Sequence, residues 1–142
     1  MPWGKMIKRE FLYEKKIKFE EVIASNDVMF SLRSGIAAKN ISAYLDCIYV
    51  STVRKDSLFF LDTVERLNAR VYVCMEANYF LKENGLLRYR YNQYELIQKY
   101  KSISRKDYQK QLRKYFKREC WGCILLDMAR FYRKQIYEYF SN

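Results

Sequence analysis

Leu58 to Glu83 reads LFFLDTVERLNARVYVCMEANYFLKE, and Asn84-Gly85 follows it. Phe60, Val64, Leu67, Val71, Cys74 and Leu81 recur at three- and four-residue spacing, with Asn78 the single polar residue among them. That period places side chains on one face of an α-helix. An Asn-Gly pair suits a helix end, since glycine takes up left-handed backbone without a steric penalty. The spacing therefore predicts one long helix over 58–83. Arg70 to Met75 also alternates as a strand would, but the helix is the preferred reading.

Helical signals continue toward the C-terminus. Tyr89 to Tyr100 reads as helix, and Ser104-Arg105-Lys106-Asp107 has the form of a capping box launching a helix through Tyr108, Leu112 and Tyr115. Trp121, Leu125, Met128, Tyr132, Ile136 and Tyr139 mark the stripe of a final helix. Toward the N-terminus the signals are weaker. Lys5 to Lys15 supports a short, irregular helix at best, and Ile17-Lys18-Phe19 alternates like a brief strand. Ser25 and Asn26 suit a helix cap, Asp27 falls in the first turn where the macrodipole favours an acid, and apolar residues continue to about Ala38. Ile41 to Val53 is rich in β-branched and aromatic residues, which predicts one or two strands. The expected fold is mainly α with a small β element (α+β): short strands near 17–20 and 41–53, and long amphipathic helices from 58 to the C-terminus.

The 142 residues suit a single domain of 1–142, and with half of them hydrophobic and only one proline and four glycines, the chain is neither disordered nor built on many tight turns. The net charge of +11 is uneven. Residues 1–84 carry 13 Lys/Arg against 11 Asp/Glu, whereas residues 85–142 carry 14 against 5. A basic face of this kind can dock on phosphates or anionic lipid, or simply be solvated. No apolar run approaches the ~20 residues of a membrane span. With no signal peptide in view, Cys47, Cys74, Cys120 and Cys123 read as reduced core thiols of a cytoplasmic protein. Cys120-Trp121-Gly122-Cys123 is a C-x-x-C, yet a chain without histidine offers no further ligands at zinc spacing, so structural cysteines are expected. The lack of histidine also leaves proton transfer to a carboxylate, tyrosine or lysine. There is no Gly-rich phosphate loop and no D-x-D pair to hold a nucleotide-bound metal.

Four pieces of the first 58 residues, in order, resemble a known family. Trp3-Gly4-Lys5-Met6-Ile7-Lys8-Arg9-Glu10-Phe11-Leu12 is similar to the W-x-K-(L/M)-x-K-R-x-(F/L)-L segment of bacterial family-2 glycosyltransferases. Ile17-Lys18-Phe19 resembles their I-x-F strand, and Asn26-Asp27-Val28-Met29-Phe30 their E-D-x-x-F motif, with Asn26 in place of the glutamate. Tyr49 with Arg54-Lys55-Asp56-Ser57-Leu58 resembles their Y-x-x-x-x-R-x-x-S-(I/L).

This resemblance implies that 1–57 is the acceptor-side segment of a GT-A enzyme, followed by a basic helical tail over 58–142, without the half that binds the nucleotide sugar. By the same resemblance Asp27 is the catalytic base that deprotonates the acceptor hydroxyl, and Trp3, Lys5, Arg54 and Ser57 bind substrate, the last two near the donor diphosphate. No cofactor is expected in the chain alone; a complete enzyme of the family uses a nucleotide sugar and a divalent metal. The implied role is cell-envelope polysaccharide synthesis, inactive without a donor-binding domain. Two other readings stay open: a basic helical module on anionic membrane at the inner face, with nucleic acid ranked below it, and a homo-oligomeric interaction domain with tyrosines at the interface.

Overall fold

The computed structural model describes residues 4–43, 45–47, 49, 50, 52 and 62–141. Among them six α-helices form and no strand does. The chain divides into two compact units, Met1–Leu61 and Asp62–Asn142, close to the 57/58 boundary of the sequence motifs.

In the first unit, α1 (Arg9–Glu14) is one and a half turns long and buries nothing. It closes through two backbone bonds: the Lys16 N–H donates to Tyr13 O (3.1 Å) and the Ile17 N–H to Leu12 O (2.9 Å). Such a closure requires left-handed backbone at the residue after the cap, and Lys16 adopts it at φ 53°. The turn aims Ile17 inward, where it is buried with Ala24, Met29, Phe30 and Ser34. Helix α2 (Asp27–Ala37) supplies the last three of these. The expected strand at 17–20 does not form. A strand needs a ladder, and the Glu20 N–H instead donates across a tight loop to Asn26 O (3.2 Å), while Phe19 stacks on Phe30 with ring centroids 4.1 Å apart. Asn26 holds the N-cap position of α2 with its backbone already helical, and its side chain makes no cap bond, contrary to the sequence expectation. Over 41–53 the described residues form no strand and are all exposed, whereas positions 44, 48, 51 and 53 lie outside the described set.

In the second unit, α3 (Val64–Glu83) confirms the helix at 70–75. Thr63 caps its start, accepting from the Arg66 N–H. Its end repeats the closure of α1 with glycine at the left-handed position: Gly85, at φ 69°, donates to Lys82 O (3.0 Å) and Leu86 to Leu81 O (2.8 Å). Residues 58–61 lie outside the described set. A short 3-10 turn (Leu87–Tyr89) leads to α4 (Gln93–Gln98), which is continued by a second 3-10 turn (Lys99–Ser102). Then come α5 (Arg105–Arg118) and α6 (Trp121–Phe140). Ser104 caps α5 as the capping box predicts, accepting from the Asp107 N–H (3.2 Å) and donating to Asp107 Oδ2 (2.6 Å).

Six residues long, α4 could not stand alone in water. It is the hub of the unit, touching α3, α5 and α6. Leu67 and Val71 of α3, Tyr94 and Ile97 of α4, Tyr100, Tyr115 and Ile124 make one buried cluster around it. Asn78, the polar residue in the α3 stripe, ties the helix to the incoming chain: its Nδ2 donates to Tyr91 O (3.0 Å) and its Oδ1 accepts from the Tyr91 N–H (2.7 Å).

Helix α6 packs on a different face from the one its apolar stripe predicts. Ile124 and Asp127 are buried, with Met128 and Phe131 partly so, whereas Trp121, Leu125, Tyr132, Ile136 and Tyr139 are each more than half exposed. The helix carries two apolar faces, and the one turned inward holds Asp127, the counter-charge that the buried Arg90 demands.

Candidate functional site

Two of the four motifs of the first unit, I-x-F and D-x-x-F, come together at α2. Asp27 occupies its first turn and is half-buried. Behind it, Met29 and Phe30 are buried, Phe19 stacks on Phe30, and the Arg33 guanidinium pairs with Glu20 (3.1 Å). The I-x-F segment and the D-x-x-F motif thus form one packed piece, which fixes where the Asp27 carboxylate emerges. A carboxylate at a helix start is favoured by the unpaired N–H groups there. Lys5 is exposed, in the irregular stretch before α1. Trp3, Arg54 and Ser57 lie outside the described residues.

The second unit has a polar centre that local sequence patterns do not announce. Arg90, 1% exposed in its side chain, donates from Nη2 to Asp127 Oδ2 (3.0 Å) and to Glu119 Oε2 (3.1 Å). Asp127 is fully buried and also accepts from the Tyr115 hydroxyl (3.0 Å), while Asn92 Nδ2 donates to its backbone oxygen (2.9 Å). Burial pushes the Asp127 carboxyl above its ordinary value, opposed by the Arg90 guanidinium. Burial alone would lower Arg90, but Asp127 and Glu119 outweigh it and keep the guanidinium charged. Burial, reinforced by Asp127, raises the Tyr115 hydroxyl too. This cluster joins the loop before α4 to α5 and α6 and so ties those elements together. An open cleft of about 480 Å³ is lined by Asn92, Glu95, Arg130, Arg133, Lys134 and Tyr137. Two of its cations are committed to protein partners: Arg130 donates to Arg90 O and Arg88 O, and Lys134 pairs with Glu95 (2.6 Å).

The cysteines correct the reading of four core thiols. Only Cys74 is buried; Cys47 and Cys120 are exposed and Cys123 is intermediate. Along α5, Lys106, Lys110, Arg113, Lys114, Lys117 and Arg118 are exposed, so the basic bias of the tail does reach the surface. No helix among the described residues is long and apolar enough to cross a membrane. Comparison with protein families, with curated proteins and with solved structures gives no match.

Proposed function

We propose that the chain is the acceptor-side part of a family-2 glycosyltransferase, acting with a nucleotide-sugar-binding half. The observation that supports this reading is the packed piece formed by two of the four motifs, with Asp27 at its rim. In the reaction so proposed, the Asp27 carboxylate takes the proton of an acceptor hydroxyl as that oxygen attacks the anomeric carbon and the nucleotide diphosphate leaves. The resemblance gives Arg54 and Ser57 the role of binding the diphosphate, and Trp3 and Lys5 that of binding the sugar. Among the described residues no three His, Cys, Asp or Glu side chains gather to hold a metal ion. The donor and its ion fall to the other half. A need for such a half also accords with the apolar surface of the first unit, where Met6, Ile23, Ile41, Leu45 and Val50 stand exposed.

The test joins the chain to a nucleotide-sugar-binding half and compares Asp27→Asn with the parent. Loss of a general base should lower turnover about a hundredfold or more, while folding stability of the chain alone changes by no more than ~1 kcal/mol. Equal turnover would leave Asp27 a helix-terminal acid and remove the catalytic link. The chain alone should give no micromolar isotherm with a UDP- or GDP-sugar, with or without manganese.

A second reading, that the tail rests on an anionic membrane, is favoured by α6. Its outward stripe of Trp121, Leu125, Tyr132, Ile136 and Tyr139 is apolar and aromatic, and the exposed cations of α5 adjoin it in sequence. With Trp3→Phe leaving Trp121 the sole tryptophan, vesicles rich in phosphatidylglycerol should shift its emission to the blue. Phosphatidylcholine vesicles should not, and salt should reverse the shift. A shift that salt leaves unchanged would argue for a protein or self-association surface instead.

A further inference from the structure

The first turn of α6 brings two thiols of unlike character together. Cys120 is the N-cap residue of a 20-residue helix and is exposed. Cys123 sits one turn on and is half-covered. Residues three apart at a helix start have Cα atoms roughly 5 Å apart, inside the range a disulfide bridges without moving the backbone. Gly122, between them, has open space where a side chain would be. Arg90, 4% exposed and charged, has an Nε with no hydrogen-bond partner, and its field reaches both sulfurs. No third Cys, His, Asp or Glu among the described residues joins them in a metal-holding group.

We propose that Cys120 and Cys123 form a redox-active dithiol that exchanges with low-molecular-weight disulfides of the glutathione type, with Cys120 the attacking sulfur. In the first step the Cys120 thiolate attacks the small disulfide, forming a mixed disulfide and releasing one thiolate, which takes up a proton. In the second, Cys123 loses its proton to solvent and attacks Cys120 Sγ, closing the protein disulfide and releasing the other thiolate. The pair loses two electrons and the small disulfide gains them. The assignment of roles follows from the surroundings. The Cys123 thiol and then its backbone N–H hold Cys120 below the ordinary thiol value, an approach short of a formed cap bond, and Arg90 adds to the effect while Glu119 opposes it. Burial and the neighbouring Cys120 push Cys123 up. An exposed thiolate attacks and a covered thiol resolves, the division that exchange chemistry needs. Cys74, buried and pushed up to about 12, is an internal inert control.

The experiment equilibrates the full chain, carrying Cys47→Ser, with graded ratios of reduced and oxidised glutathione, then quenches with acid and alkylates. Trypsin leaves both sulfurs in the peptide 119–130, so an internal disulfide reads as the loss of two hydrogens there. The expected result is a reversible transition in that peptide while Cys74 stays a thiol. Cys123→Ser should trap glutathione on Cys120, and Cys120→Ser should abolish exchange, with circular dichroism unchanged in both. Alkylation of Cys120 should reach half its limiting rate at lower pH than alkylation of Cys123. Free thiols at both positions across every ratio would overturn the proposal, as would a mixed disulfide that Cys123 never resolves.

Discussion

Helices α1 and α3 end with the same pair of backbone hydrogen bonds, yet one closure is built on Lys16 and the other on Gly85. A side chain at left-handed φ costs on the order of 1 kcal/mol that glycine avoids. The first unit bears this cost with few buried side chains to offset it: Ile17, Ala24, Met29 and Phe30 are its buried apolar residues among those described. The second unit surrounds α4 with a cluster in which Leu67, Ile97 and Tyr100 are wholly excluded from solvent, and clamps it with a buried ion pair. Two stretches of similar helical character can therefore differ in self-sufficiency. The second unit holds itself together, and the first is suited to being covered by something else.

The largest expected effect tests the clamp. Arg90→Ala leaves Asp127 buried without its partner and should destabilise the second unit by about 3–5 kcal/mol in urea unfolding, with Arg90→Met/Asp127→Leu recovering most of the loss. A loss below 1 kcal/mol would show that the apolar cluster alone suffices. Alkaline pH should act next. Tyr100 is fully buried and burial raises its hydroxyl from 10.0 to about 12, so the folded unit keeps a proton that the unfolded chain releases. The stability it contributes is complete below pH 10 and is lost as pH rises toward about 12. Tyrosine absorbance at 295 nm should show late-titrating hydroxyls rising together with loss of helix; titration of every tyrosine near pH 10 with helix intact would contradict this.

The closures provide a smaller and reciprocal test. Gly85→Ala meets no neighbouring atom, so its cost is conformational alone, about 1 kcal/mol against the second unit. Lys16→Gly should move the first unit the other way by about the same amount, less the extra entropy of an unfolded glycine. The smallest effect belongs to the ion pair of Lys134 with Glu95, whose side chains are 55% and 34% exposed. Lys134→Ala should change stability by no more than ~0.5 kcal/mol, and salt should erase even that.

Much of the second unit is legible in the sequence because its signals are local. The α3 stripe, the Asn84-Gly85 stop and the Ser104 cap all act within a turn or two of the residues that encode them. The registration of α6 is not local. Its inward face is chosen by Arg90, 37 residues upstream, and no periodicity within 121–140 carries that information. The strand expected at 17–20 fails for a related reason, because β propensity reports readiness to pair and no partner strand is described. At the candidate site, Asp27 and Phe30 are readable as a motif, while their packing against Phe19 required the Lys16 turn. The unlike character of Cys120 and Cys123 comes from cover over the second and not the first, which the C-x-x-C spacing does not carry.

Asp62 stands at the threshold of the second unit and pairs with two cations, Arg70 on α3 and Lys99 beyond α4 (3.3 Å for the latter). Tension applied from the N-terminal side, as by a threading protease or an optical trap, would reach these pairs before the Thr63 cap. The two anchors lie 29 residues apart in sequence, so both must part before α3 can be peeled away from its first turn. Asp62 thus acts as a latch against mechanical unravelling, and the second unit should resist pulling from this end more than a helix frayed at an uncapped terminus would.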